Sequence, residues 1–189
     1  MTIMLTPGLI ESTADLQQVL ALQAINLKQN LSATEKDAEG FVTMQFSLDM
    51  LERLHAIAPT VVVRDADRII GYAIVLLTEG RKAYPDLDTM FDHLEALEWR
   101  NRPLTSYKYY VMGQICVDKN YRGQQVVRML YNKHRDLYQQ NYDCIVTEIS
   151  TSNHRSFRAH DKIGFKKIHT YRDEVDEWNV VVWDWGQEI

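Results

Sequence analysis

Apolar positions recur at helical spacing early in the chain and in strand alternation later. Ser12-Thr-Ala-Asp15 offers a helix cap with an acidic residue at the third helical position, and Leu16, Val19, Leu20, Gln23 and Leu27 follow along one face. This predicts a first helix ending near Asn30. Ser47 caps a second, shorter helix with Leu48, Leu51, Leu54 and Ile57 on one face and Pro59 stopping it. Between the two, Leu31 to Phe46 is polar and poorly periodic, and it reads as a connection with some irregular structure. The period then changes. Thr60-Val-Val-Val-Arg64 and Ile69 to Leu77 are β-branched apolar runs around the turn Asp65-Ala-Asp-Arg68, the pattern of an antiparallel hairpin. The second run is apolar on both faces and belongs in the middle of a sheet.

Glu79 to Ser106 interrupts the strands. Leu87, Met90, Phe91, Leu94 and Leu97 form a stripe there, backed by Asp88, Asp92, Glu95 and Glu98. An inserted helix packed on the core is the first reading, a mobile substrate lid the second. Tyr109, Val111, Gly113, Ile115 and Val117 then alternate with Tyr110, Met112, Gln114 and Cys116, as in a strand with two distinct faces. After it come a helix carrying Val127, Leu130, His134 and Leu137, and a strand from Tyr142 to Glu148. Ser152-Asn153 caps a short helix with Phe157 and Ala159, ended by Gly164. Strands Phe165 to Arg172 and Trp178 to Trp185 close the chain around the polar turn Asp173 to Glu177.

Composition narrows this picture. A chain of 189 residues, 46% hydrophobic and 25% charged, is one globular domain with a substantial core. Its two cysteines, Cys116 and Cys144, both fall inside strands as small buried hydrophobes, which points to a reducing cytoplasm. The N-terminal stretch Met1 to Gly8 lacks the basic segment and long apolar core of a secretory signal, and no run approaches the roughly 18 apolar residues of a membrane span. The expectation is a soluble, cytoplasmic protein that uses no membrane. Net charge is −5 with Lys and Arg scattered, so the footprint of a nucleic-acid binder is missing and a cationic acceptor is mildly favoured.

The most informative chemistry lies between Cys116 and Tyr131, where a strand turns through Tyr121-Arg-Gly-Gln-Gln-Val-Val127 into a helix. The first turn of such a helix has N–H groups without partners and the positive end of its dipole, so a pyrophosphate is a natural guest. His134, His154, His160 and His169 are spread over three elements without Cys or carboxylate at ligand spacing, which argues against a metal site. No Gly-Lys-Ser/Thr follows the loop and no Gly-x-Ser-x-Gly elbow occurs, so a P-loop nucleotidase and a serine hydrolase have no support.

The order of elements, that loop, and Asn153-His-Arg-Ser-Phe-Arg-Ala-His-Asp-Lys-Ile-Gly-Phe165 together resemble the GNAT superfamily of acyl-CoA N-acyltransferases. The resemblance implies a mixed α/β (α+β) fold, with a mostly antiparallel sheet of about seven strands and helices on both faces. In the family the loop reads Gln or Arg, two variable residues, Gly, one variable residue, then Gly or Ala. Arg122 matches the first position and Gly123 a Gly that often follows, while Gln125 and Val127 depart from the last two. Glycine there allows close backbone approach to phosphate, and Val127 implies a wider gap between helix and sheet.

By resemblance, coenzyme A or acetyl-CoA is held by Ile115, Cys116, Val117, Arg122, Gly123, Gln124, Gln125, Val126 and Val127, with Asn153 on the pantetheine arm and His160 facing the sulfur. The Ile115 or Val117 N–H would polarise the thioester carbonyl. His160 stands where the family often has Tyr and is the expected proton donor; Glu148 is the expected base, acting through water. Tyr110 and Gln114 are candidates for the acceptor site.

These assignments divide the domain into acceptor-shaping helices at 12–58, an inserted segment at 79–106 and a coenzyme-binding core at 107–171. The implied activity is transfer of an acetyl group from acetyl-CoA to a primary amine by direct attack in a ternary complex. A non-catalytic acyl-CoA-binding or interaction module on the same fold is the alternative. The acceptor stays open among polyamine, aminoglycoside, amino acid and a protein amine. A homodimer through the Trp- and Val-bearing C-terminal strands is a further expectation.

Overall fold

A computed structural model of the chain describes residues 4–83 and 85–186; residues 1–3 of the N-terminal stretch, Tyr84 within the insertion, and residues 187–189 lie outside it. Its elements are β1 (Leu5–Leu9), α1 (Thr13–Ala24), α2 (Ala33–Glu39), α3 (Leu48–Ile57), β2 (Val61–Asp65), β3 (Arg68–Leu76), α4 (Pro85–Glu95), β4 (Glu98–Trp99), β5 (Arg102–Pro103), β6 (Tyr109–Val117), α5 (Val126–Tyr138), β7 (Cys144–Ser150), α6 (His154–Ile163), β8 (Lys166–Arg172) and β9 (Glu177–Asp184). One sheet of seven strands runs in the order β1-β2-β3-β6-β7-β9-β8. Every neighbouring pair in it is antiparallel except β6 and β7, which run parallel. Leu16, Val19, Leu51, Leu54 and Phe91 from α1, α3 and α4 pack on one face. Val126, Leu130 and Tyr131 from α5 pack on the other, with Phe165. The sheet is therefore mixed, mostly antiparallel and covered on both faces, as expected.

Local chemistry sets most of the boundaries. Ser12 Oγ accepts the Asp15 N–H at 3.2 Å and Ser47 Oγ the Met50 N–H at 3.2 Å, which starts α1 and α3 where the caps predict. α1 ends at Ala24, not near Asn30, because the chain beyond it is captured by a distant segment: the Val42 N–H donates to the Asn26 carbonyl at 2.9 Å and the Lys28 N–H to the Val42 carbonyl at 2.8 Å. α2 lies where an irregular connection is predicted. A reciprocal Ser32–Glu35 capping box starts it, but none of its residues is buried, so it carries no apolar stripe to read. β1 was not legible because Pro7 and Gly8 disfavour a strand interior; both are tolerated here on a sheet edge.

The insertion packs. Leu87, Phe91 and Leu94 are buried, and Arg81 ties α4 down through Asp88 at 2.6 Å, Glu95 at 2.7 Å and Asp92. On α5 the buried face is Val126, Leu130, Tyr131 and His134, while Leu137 is exposed. The buried helix-to-sheet contact is thus made by Val126, with Val127 only partly buried beside it. A Cβ added to Gly71 of β3 would stand 2.9 Å from Val126 Cγ1, so Gly71 makes room for that valine. In β9, Val180, Val181 and Val182 are buried between β7 and β8, and Trp183 packs on Phe165 with ring centroids 5.8 Å apart. The sheet edge is β8, with Lys166, Lys167 and Arg172 exposed, a charged rim that discourages strand addition.

One irregularity organises the centre. β3 pairs Ala73 with Ile115 and Ile74 with Gln114, then Val75 with Met112, leaving Gly113 as an extra residue in β6. Side chains change sides there. Tyr109 and Val111 share a core with Cys116, whereas Tyr110 and Met112 share the other core with Val117. The strict alternation predicted for this strand holds only up to the bulge. On its other edge, β6 pairs with β7 from Tyr109 to Val111 and no further. The Thr147 hydroxyl donates to the Met112 carbonyl at 2.8 Å, and beyond it the two strands are unpaired.

A Cβ on Gly113 would lie 2.5 Å from Leu76 Cδ1 inside the core. Gly113→Ala is expected to lower unfolding free energy by about 1–3 kcal/mol, the range for overpacking a core, measured by urea denaturation. An unchanged midpoint and slope would show that this glycine is not required.

Candidate active site

The unpaired stretch of β6 and β7 opens a cleft of about 540 Å³ between α5 and α6. Ile115, Cys116, Val117, Arg122, Gly123, Gln125, Val126, Val127, Asn153 and His160 all line it. Gln124 does not; it is exposed, and its Nε2 donates to the Asn120 carbonyl at 3.1 Å. The Asp118 N–H donates to the Ile70 carbonyl of β3 at 2.8 Å. Because successive strand N–H groups alternate, those of Val117 and Ile115 point away from β3, toward the side where β7 has parted.

The loop leads from Asp118, whose Oδ1 accepts the Asn120 N–H at 2.9 Å, through Gly123 at φ 80° to Gln125 at φ 62° and ψ 16°. Gln125 immediately precedes α5 and gives it no side-chain cap, so the first N–H groups of that helix are left for another acceptor. A left-handed glutamine costs about 1–2 kcal/mol relative to an ordinary backbone. The departure from glycine is therefore carried as backbone strain. Val127 is half-buried, at the cleft and at the margin of the core that Val126 fills.

In a chain of net charge −5, the cleft gathers Arg122, Arg128, Arg155, Arg158 and Lys162 against, among the described residues, a single carboxylate, Glu39. Arg155, Arg158 and Lys162 recur on one side of α6, a spacing that could have flagged them in the sequence. Each nitrogen of Arg122 has one partner: Nε donates to the Val117 carbonyl at 3.1 Å, Nη2 to Asn26 Oδ1 at 2.8 Å, and Nη1 pairs with Glu39. Glu39 also lies 3.7 Å from Arg155 Nη1, so one carboxylate at the end of α2 sits between two cleft arginines.

Asn153 holds two elements together. Its Oδ1 accepts the Ser156 N–H at 3.2 Å, capping α6, and its Nδ2 donates to the Phe41 carbonyl at 2.8 Å. Gly40, at φ 71°, passes so close that a Cβ would meet Asn153 Oδ1 at 2.9 Å. His160 is buried. Its Nδ1 is 2.8 Å from the Ser156 carbonyl, an acceptor only, so Nδ1 carries the proton and Nε2 accepts from the Tyr131 hydroxyl at 2.6 Å. Burial pushes its pKa down to about 4 and keeps the ring neutral.

A second cavity, of about 580 Å³, lies on the other side of the gap. Both cavities are lined by Phe41, Val42, Ile115, Asn153, Ser156 and His160, so they meet where β6 and β7 part. Its walls come from the segment 41–45, from α4, from β7 and from the β8–β9 hairpin. Glu148 of β7 faces it. Burial is the main cause that raises the carboxyl pKa to about 7, Asp173 adds to the rise, and the Tyr171 hydroxyl opposes it by donating at 2.9 Å. Gln114 also lines this cavity, donating to the Met44 carbonyl at 2.7 Å and accepting from Tyr72 at 2.6 Å. Tyr110, expected beside it, is in the opposite core with its hydroxyl 2.9 Å from His134 Nδ1, because the Gly113 bulge reverses the alternation between them.

Residues 28–165 match the family described as acetyltransferase (GNAT). No curated protein matches the chain in sequence. Among solved structures, the ribosomal-protein-S18-alanine N-acetyltransferase from Escherichia coli is 12% identical with a TM-score of 0.64, covering 98% of this chain and 96% of its own. The NatC complex bound to Gag peptide and CoA is 13% identical with a TM-score of 0.65, over 96% of this chain and 99% of that one. Naa50 of Arabidopsis thaliana, in complex with the bisubstrate analogue CoA-Ac-MVNAL, is 15% identical with a TM-score of 0.62, over 96% and 99%. At these identities the likeness is one of fold.

Two substitutions check the cleft. Glu39→Gln frees Arg122 and Arg155, and coenzyme A is expected to bind about fivefold tighter by calorimetry, the worth of about 1 kcal/mol for a partly exposed pair; weaker binding would mean that Glu39 supports the site. Gln125→Gly relieves the left-handed strain and is expected to stabilise the protein by about 0.5–1 kcal/mol in urea unfolding. A loss of stability would contradict the strain assignment.

Proposed function

The chain belongs to the acetyltransferase (GNAT) family, and we propose that it moves an acetyl group from acetyl-CoA to a primary amine by direct attack within one ternary complex. The observation that carries this reading is the meeting of a cationic cleft and a carboxylate-bearing cavity at the gap between β6 and β7. Acetyl-CoA supplies the acetyl group as a thioester. The N–H groups at the start of α5, with Arg122, Arg128, Arg155, Arg158 and Lys162, suit its phosphates. The Ile115 and Val117 N–H groups are aimed to stabilise charge on an acyl oxygen in the gap, and Asn153 keeps α6 and the segment around Phe41 on either side of it. In this reading residues 107–171 hold the coenzyme, while 12–58 and the insertion 79–106 shape the acceptor cavity. Naa50 and NatC, bound to a peptide-bearing analogue and to a peptide with CoA, support an amine or peptide acceptor.

An amine arrives protonated and must become neutral to attack. In this reading Glu148 takes that step, supported by its facing the acceptor cavity and by a carboxyl poised near neutral pH, where a base is both deprotonated and strong enough. The departing thiolate belongs to a class with pKa of about 8.5, so a strong acid is not required at neutral pH. His160 has its one N–H committed to Ser156 and its other nitrogen to Tyr131. We therefore give it the role of walling the junction, and leave the thiolate to take its proton from solvent or from the proton released by the amine. Among the described residues no helix is long and apolar enough to cross a membrane.

Acetyl-CoA is expected to raise the melting temperature, corresponding to about 2.7 kcal/mol at a hundredfold excess over Kd; no shift at millimolar ligand would contradict the assignment. Glu148→Gln should lower kcat by about 10²–10⁴-fold and abolish the acid limb of kcat/KM near pH 7. The same variant has a stability signature. A carboxyl whose pKa rises on folding contributes stability below its unfolded value, and that contribution is lost as pH rises through about 7. Relative to the parent, Glu148→Gln is expected to gain stability between pH 4.5 and pH 8; a constant difference across that range would place Glu148 in solvent.

A further inference from the structure

We propose that the acceptor is a monoamine on an uncharged, apolar body, as in an arylalkylamine or a peptide whose first residue is large and apolar; this rests on the acetyl-transfer reading and narrows it. The acceptor cavity is lined by the side chains of Met44, Met50 and Met90 together with Phe41 and Trp178. Thioether side chains adapt to apolar shapes and offer nothing to a charge. Two carboxylates reach this lining, Glu148 and Asp173. Asp173 is already committed: Oδ1 accepts the N–H groups of Val175 and Asp176 at 2.8 Å each, and Oδ2 accepts Trp178 Nε1 at 2.9 Å. It builds the β8–β9 turn. Glu148 accepts only from the Tyr171 hydroxyl among the described residues, which leaves it able to receive one ammonium.

A second ammonium, as on a polyamine or an aminoglycoside, would be desolvated against methionines without a counter-charge. Burying an unpaired charge in that way is strongly unfavourable. The opposite charge finds no fixed counter-charge either. Among the described lining residues there is no Lys or Arg to receive the carboxylate of a free amino acid. Lys28 stands 5.0 Å over the Phe41 ring, but it is outside the lining and paired with Asp176 at 2.5 Å. The cavity therefore matches one positive charge at Glu148 and an apolar remainder.

The test measures thiol release from acetyl-CoA with the full chain and five acceptors: tryptamine, a methionine-leucine peptide amidated at its C-terminus, spermidine, kanamycin and free methionine. Coenzyme binding is read separately by thermal shift. Tryptamine or the peptide amide is expected to exceed each of the other three by at least about a hundredfold in kcat/KM. Preference for one of the two identifies a small-molecule or a peptide source. If acetyl-CoA binds and spermidine, kanamycin or methionine is used best, this inference is overturned while the transferase reading stands. If acetyl-CoA produces neither a shift nor thiol release with any amine, the transferase reading falls and takes the inference with it.

Discussion

Gly113 adds to β6 one residue that β3 cannot pair, and on the opposite edge β6 stays hydrogen-bonded to β7 only through Val111. A sheet otherwise continuous from β1 to β8 is thereby parted at its middle. Backbone N–H groups that a continuous sheet would consume are left facing a gap, and the side chains beyond the bulge exchange faces. Gln114 consequently points into the cavity that holds Glu148 and Val117 into the core under α5. The strand parting also fixes where the helices go. α5 springs from the far end of β6 and α6 from the end of β7, so their N-terminal ends flank the same opening.

The two sides of that opening are charged oppositely for a physical reason that net charge hides. Five cationic side chains on the loop, α5 and α6 face one cavity, while Glu148 and Asp173 face the other. An anionic donor and a cationic acceptor can then be drawn to opposite sides of one junction without competing for the same groups. Between them, His160 is held neutral by burial, so it adds charge to neither side. Glu39, clamped between Arg122 and Arg155, keeps the cationic cleft compensated from within the chain.

Much of the fold was legible because it obeys local rules. The β2–β3 hairpin, the caps at Ser12, Ser47 and Asn153 and the β8–β9 hairpin follow from propensity and spacing. What escaped depends on contacts distant in sequence. α1 stops early because Val42 takes the backbone of Asn26 and Lys28, and α2 lacks an apolar stripe because it is held by ion pairs and not by burial. The bulge was invisible for another reason: Gly113 fits a strict alternation as well as an interrupted one, and only its lack of a partner in β3 tells them apart. Of the site, the loop and the Asn153 helix showed themselves as motifs. The cavity around Glu148 could not, since Met44, Met90, Glu148 and Trp178 converge from four separate segments.

In the proposed reaction, donor and acceptor occupy adjoining cavities together, with transfer across the gap between β6 and β7. Steady-state kinetics with acetyl-CoA and an accepted amine varied against each other tests it most directly. Intersecting double-reciprocal lines are expected, since both ligands must be bound before the acetyl group moves. Parallel lines, with an acetylated protein isolable in the absence of amine, would contradict it.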